Sequence, residues 1–208
     1  MIKIKNLILS ILLFQSFTLF GMDSSWKEIA NEDKIKVYAK ETQNSIIPFR
    51  AQGIIYSNIE VVLKTLKNYK IKHRWSPKLK SVKIHKDLGK EEYIFSEYYK
   101  TPWPAYDREF LLKGSIKQVS ANKYRLVASS IDDKSLSDDG HVQANVELIH
   151  ITIEKISEQQ TQLDFEFHGD MKGWIPVWLM NIIQKKWPLR FIQALRKQVN
   201  PGRVKKLI

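Results

Sequence analysis

The sequence predicts an α+β domain in which a curved antiparallel sheet is closed by one long C-terminal helix. Three observations carry this. Short alternating segments from Trp26 to His168 are separated by close-set turn signals, and neighbours so spaced pair antiparallel, because parallel strands need long crossovers. The stretch Asp170-Met-Lys-Gly-Trp-Ile-Pro-Val-Trp-Leu-Met-Asn181 then passes from strand to helix. Gly173 ends the strand, and Pro176 sits where a first helical turn accepts it. Beyond it Trp178, Leu179, Ile182 and Ile183 recur at helical spacing, so a wide apolar face lies against something. A sheet gripping such a helix can leave a cavity between them.

The chain of 208 residues suffices for one domain with a substantial core. Its first segment reads as an export signal: Lys3 and Lys5, then the apolar run Leu7 to Phe20, then small Gly21 before polar Met22-Asp-Ser-Ser25. The run falls short of the roughly 20 residues that span a bilayer. We therefore place a signal peptide at 1–21 and the mature domain at 22–208, in the periplasm or outside the cell. There is no cysteine, which removes disulfides, thiol nucleophiles and cysteine metal sites. The formal net charge is +12, of which Lys3 and Lys5 supply two. A basic exported protein points to an anionic membrane surface rather than nucleic acid, unless the lysines simply form a solvated face.

The elements follow in order. Trp26 to Glu41 reads as two strands around Asn31-Glu-Asp33, with Ile35, Val37 and Ala39 on one face. Ile47 to Tyr56 is a third strand. Ser57-Asn-Ile-Glu60 has capping-box spacing, and Ile59, Val62, Leu63 and Leu66 line one face of a helix ending near Tyr69. Lys80 to His85, Glu92 to Lys100, Asp107 to Val119, Tyr124 to Ile131, Val142 to Ile156 and Thr161 to His168 are strand-like. Turns are expected at Asp87-Leu-Gly89, Thr101 to Pro104, Ser120-Ala-Asn122 and Ser157 to Gln160, with a longer polar, mobile loop at Asp132 to Gly140. The last helix, Pro176 to Asn200, contains Pro188 and should bend there.

No catalytic motif is present. The five histidines show no metal-ligand spacing, and the eight glycines are too scattered for a phosphate cradle. We expect no cofactor and no metal. In Tyr93-Ile-Phe-Ser-Glu-Tyr-Tyr99, however, Tyr93, Phe95, Glu97 and Tyr99 share one strand face. If that face is inward, Glu97 is a carboxylate in an apolar interior and needs a partner; otherwise it is an exposed edge residue. In Thr101-Pro-Trp-Pro-Ala-Tyr-Asp-Arg-Glu-Phe110, Arg108 is a partner for Asp107, Glu97 or a ligand, or simply fixes the loop.

These features together resemble the START family, the lipid-transfer domains related to the steroidogenic acute regulatory protein. The resemblance spans about Trp26 to Val199. It rests on Trp75-Ser-Pro77, Tyr93-Ile-Phe-Ser-Glu97, Pro102-Trp-Pro with Asp107-Arg-Glu-Phe110, and above all Asp170-x-x-Gly-x-Ile-Pro-x-Trp-Leu-x-Asn181. It implies an exported, bacterial-type single-domain member with a helix-grip fold and a tunnel for one apolar molecule. Glu97 matches an acidic tunnel residue of the family, and Arg108-Glu109 matches its Arg-Asp pair. The basic partner of the tunnel carboxylate has no counterpart, since Gly114 falls near its place and Lys113 on the other face.

The resulting expectation is a non-enzymatic, monomeric carrier of a phospholipid, sterol-like lipid or fatty-acyl molecule. Glu97 would anchor the polar end. Tyr93, Phe95, Tyr99, Arg108, Phe110 and Leu112 would line the tunnel with Leu126, Phe165, Trp178, Leu179 and Ile182. Lys185, Lys186, Arg190 and Arg196 would dock the last helix on anionic membrane, at roughly 1 kcal/mol per basic residue. Pro188 or the Asp132 to Gly140 loop would serve as a gate. The alternatives are a helix-grip enzyme using Glu97 with a histidine such as His168, or a ligand-free interaction module.

Overall fold

A computed structural model describes residues 25–42 and 46–200; the signal peptide expected at 1–21 lies outside them. The first strands, β1 (Trp26–Glu32) and β2 (Ile35–Lys40), form a hairpin around Asp33 and Lys34, both at positive φ. β3 (Ile46–Ile55) pairs with β2 and buries Ile47, Phe49, Ala51 and Ile55. The helix that follows starts one residue later than the capping box suggests. Asn58 rather than Ser57 is the cap, accepting from the Val61 amide at 2.9 Å.

That helical region is two helices, α1 (Ile59–Lys67) and α2 (Tyr69–Trp75), broken at Asn68, whose backbone leaves the helical region. Then come β4 (Leu79–Gly89), β5 (Glu92–Tyr99), β6 (Arg108–Ser120) and β7 (Lys123–Ser130). The β4–β5 turn lies at Lys90-Glu91, both at positive φ, not at Asp87-Leu-Gly89. The expected strand Val142 to Ile156 splits into β8 (Val142–Gln143), which pairs parallel with β6, and β9 (Asn145–Ser157), which pairs with β7 and β10 (Gln160–Asp170).

The ten strands form one sheet in the order β1-β2-β3-β10-β9-β7-β6-β5-β4, with β8 off this path. It is antiparallel except for β8. The chain's first strands thus sit beside its last one, and α1–α2 carry it from the middle of the sheet to the far edge. The long helix α3 (Val177–Val199) lies across the concave face, chiefly over β2 and β3.

The core forms where helix and sheet meet. On β10 the alternation is strict: Leu163, Phe165 and Phe167 are buried, while the residues between them are half-buried. On α3, Leu189, Ile192 and Leu195 recur at helical spacing and are buried against this face. Each such large side chain removed to alanine would cost about 2–5 kcal/mol. Pro188 lies inside α3 as expected. Among the described residues no helix is long and apolar enough to cross a membrane.

The loop after β7 is tied down rather than loose. Glu109, fully buried on the sheet's outer face, accepts from the Asp138 amide at 2.7 Å and from Gln143 Nε2 at 2.5 Å. Burial alone would raise its pKa, but hydrogen bonds from Ser96, Gln143, Asp138 and Tyr98 hold it below the ordinary carboxylate value. Fixed by a buried carboxylate, this loop is a poor candidate for the gate.

Candidate functional site

Among the described residues, two cavities are prominent between the helices and the sheet. One, of about 100 Å³, is walled by Tyr99, Phe110, Met171, Ile175, Leu179, Ile182 and Trp187, with cations at its opening; we call it the α3 cavity. The other, of about 180 Å³, is lined by Leu66, Tyr69 and Lys72 from the first two helices, and by Phe95, Glu97, Leu112, Leu126 and Ile151 from the sheet; we call it the α2 cavity. Each alone is near the size of a cavity that takes a benzene-sized guest, below the roughly 300 Å³ that houses a drug-sized ligand.

The single tunnel expected from the sequence is therefore divided. Aromatic rings stand between its halves. Tyr99 packs on Phe110 at 4.8 Å and meets Trp187 edge-on at 5.6 Å. Trp187 also sets its edge against Phe49, Phe165 and Phe167. Phe165 touches Phe191, which reaches Trp75 at 5.5 Å. Phe165 is thus a core residue and lines neither cavity. Trp178 lines neither as well; it is half exposed on the first turn of α3.

The other expected lining residues separate cleanly. Tyr93, Phe95, Glu97, Leu112 and Leu126 face the α2 cavity, and Tyr99, Arg108, Phe110, Leu179 and Ile182 face the α3 cavity. Glu97 points inward and is only 3 % exposed. Its partner is Lys72 of α2, bonded to Oε1, while the Tyr99 hydroxyl donates to Oε2 at 2.6 Å. Burial, reinforced by the Glu97 charge, pushes the Tyr99 hydroxyl well above the ordinary phenol range, so it stays protonated as a donor.

Lys72 is the residue sequence reasoning missed. A signal was there: Lys72 stands three residues before Trp75, so a helix places both on one side, and Trp75 is an obvious inward residue. The START resemblance places the partner near Gly114. That glycine serves packing instead: a Cβ there would lie 3.0 Å from the Phe95 ring and 3.1 Å from the Ala128 Cβ.

Arg108 fixes the loops at the other cavity. Its guanidinium donates to the carbonyls of Tyr106, Met171, Lys172 (2.8 Å) and Trp174 (3.4 Å). It contacts neither Glu97 nor Asp107; Asp107 is engaged by the Thr101 amide at 2.8 Å and Lys80 at 2.9 Å. Desolvation lowers the Arg108 pKa, with Asp107 opposing. The segment it grips turns at Gly173 (φ +63°), a conformation that suits glycine. Arg108 thereby gathers two loops whose aromatic residues are exposed: Trp103 (88 %) and Tyr106 (77 %) on one, Trp174 (66 %) on the other.

The expected docking cations also part company. Lys186 and Arg190 line the α3 cavity's opening, and Lys185 is exposed beside them. Arg196 does not belong to that surface. Its guanidinium is tied to the Ile54 carbonyl at 2.8 Å and the Asp33 carbonyl at 2.7 Å and lies over the Tyr56 ring, locking α3 to the sheet. His168 is no partner for Glu97 either. It bonds Glu166 at 2.7 Å, in the set of β10 residues that alternates with the buried Leu163, Phe165 and Phe167.

A helix lying in the concavity of a long antiparallel sheet, with an inward glutamate, is the arrangement the START resemblance implies; the division of its interior by aromatic rings is not. A sequence model of the START domain matches residues 21–201. The chain belongs to the START domain family. This START protein is similar in structure to human StAR-related lipid transfer protein 5, at 16 % identity and a TM-score of 0.78, covering 87 % of this chain and 89 % of that one. It is similar to a STAR-related lipid transfer protein from Xanthomonas axonopodis at 18 % identity and a TM-score of 0.73, covering 85 % and 99 %. A more distant likeness is Zhui aromatase/cyclase from Streptomyces sp. R1128, at 8 % identity and a TM-score of 0.55, covering 76 % and 96 %. A sequence comparison with curated proteins found no match.

Proposed function

We propose that this START protein is a non-enzymatic, monomeric carrier that encloses one hydrophobic molecule between α3 and the sheet and moves it between membranes. The observation that carries this reading is the pair of apolar cavities at one aromatic partition. Family membership supports lipid binding in general, and the solved structures it resembles include two lipid-transfer proteins. A whole lipid would occupy both cavities once Tyr99 and Trp187 yield, because neither cavity alone offers the space.

The carrier would be exported, as the 1–21 segment suggests, and would dock on a membrane through the α3 end. There Trp103, Tyr106 and Trp174 are exposed beside Lys185, Lys186 and Arg190. Aromatic rings favour the lipid interface, and several basic residues add roughly 1 kcal/mol each at an anionic surface. Against an enzyme, Glu97 is committed to Lys72 and Tyr99, and His168 belongs to the other set of β10 residues.

Two experiments test this. Protein incubated with mixed-lipid vesicles, re-isolated and extracted should carry one lipid per chain; return of lipid-free protein would count against the carrier. Charge reversal of Lys185, Lys186 and Arg190 should weaken sedimentation with anionic vesicles; unchanged sedimentation would remove the docking surface.

A further inference from the structure

We propose that the molecule held in the α3 cavity carries an anionic head, a carboxylate or a phosphate, seated at the opening between Lys78, Lys100, Lys186 and Arg190. This rests on the carrier reading and names the class of its cargo. The charged residues lining that cavity are these four and Arg108, all of them cations. The α2 cavity is different, since it sets Lys67 against Glu91 at 2.5 Å and Lys72 against Glu97. One cavity is balanced; the other is not.

Some cations of the sheet do find acids: Arg50 with Glu166, Lys113 with Glu92, Lys123 with Glu154. The side chains of Lys78, Lys100, Lys186 and Arg190 make no ion pair or hydrogen bond among the described residues. Behind them Arg108 is 2 % exposed and bonded to neutral carbonyls alone. The nearest acid along the chain, Asp107, has its two oxygens taken by Thr101 and Lys80. Asp107 offsets the Arg108 charge, whereas no acid pairs with the four rim cations among the described residues. Like charges around a low-dielectric opening concentrate anions there. An amphiphile with its chain along Leu179 and Ile182 and its head at the rim would balance them.

The test is calorimetric binding of decanoate, decyl phosphate, decanol and decyltrimethylammonium, each below its micellar concentration and at low salt. No vesicle is present, so head-group choice is read apart from membrane docking. The anionic probes should bind about tenfold or more tighter than decanol, the effect of a few exposed charge pairs, with the cationic probe weakest. Preference for decyl phosphate over decanoate marks a phosphate site, and the reverse a carboxylate site. The exposed-residue variant K78Q/K100Q/K186Q/R190Q should bring the anionic probes within about threefold of decanol. The control K117Q/K197Q, altering two exposed cations that line neither cavity, should leave the preference in place. Decanol binding as tightly as the anions, or a preference that survives the quadruple variant, overturns the head-group assignment while the carrier reading stands. Failure of every decyl probe to bind overturns both.

Discussion

The Tyr99 hydroxyl donates to Glu97 Oε2 at 2.6 Å across the wall between the two cavities: Glu97 faces one and Tyr99 the other. Two residues apart on one strand face, they make a latch with Lys72 as its third member. The pair does two things. It neutralises a carboxylate that the apolar interior would otherwise reject, and it fixes the ring that forms part of the partition.

Removing one member of the latch should be costly, and removing the charges together should not. Lys72→Met leaves Glu97 without its counter-ion and should destabilise by about 3 kcal/mol, whereas Lys72→Met with Glu97→Leu should recover most of that. Tyr99→Phe, which keeps the ring and the ion pair, should cost about 1 kcal/mol. Urea unfolding midpoints decide this; equal losses in the single and double variants would show that the pair is not a coupled unit.

Trp187 is the residue to remove for a larger interior. Trp187→Ala strips the ring that meets Tyr99, Phe49, Phe165 and Phe167 and should cost about 3–5 kcal/mol of stability. The two cavities should then merge, so affinity should rise for hexadecanoate relative to decanoate. An unchanged chain-length preference would mean that the aromatic wall does not limit the cargo.

Arg108→Ala should loosen the approach to α3. The four carbonyls it gathers lose their donor, and bonds from a charged group contribute about 1.5–3 kcal/mol. Amide hydrogen exchange should accelerate from Met171 to Trp174 more than in β9 or β10. Lysine should not rescue it, because one ammonium cannot reproduce the planar fork. Uniform acceleration across the sheet would instead mark Arg108 as a general core residue.

The protein should weaken in mild acid. His85, bonded to Ser96 at 2.7 Å behind β5, has its pKa lowered, first by burial and then by Lys83. Its folded pKa lies below the unfolded one, so between the two the unfolded chain binds more protons. Stability therefore falls as pH drops from the ordinary histidine value through the lowered folded value. Thermal unfolding across that window should show the decline, and His85→Gln should flatten it; an unaltered profile would place the acid sensitivity elsewhere.

The sheet, the closing helix and the shared face of Tyr93, Phe95 and Glu97 were legible from period-2 and helical patterns, but that this face turns inward was implied only by the START resemblance. What the sequence concealed depends on tertiary contact. The break at Asn68 put Lys72 on a second helix, and only the placement of α2 brings its ammonium to Glu97. Phe165 reads like any lining residue, yet rings from β3 and α3 enclose it. Arg196 looks like an outward cation at its helical position, but backbone carbonyls at Asp33 and Ile54 claim it. Hydrogen bonds to main-chain oxygens leave no trace in residue type, and for that reason the carbonyls that Arg108 gathers could not be foreseen either.

Native mass spectrometry of the protein purified from its own host reads whether this fold encloses a hydrophobic molecule. A stoichiometric adduct is expected, whose organic extract is an apolar molecule with a carboxylate or phosphate head. A clean ligand-free mass that stays so after incubation with mixed lipid vesicles would contradict it.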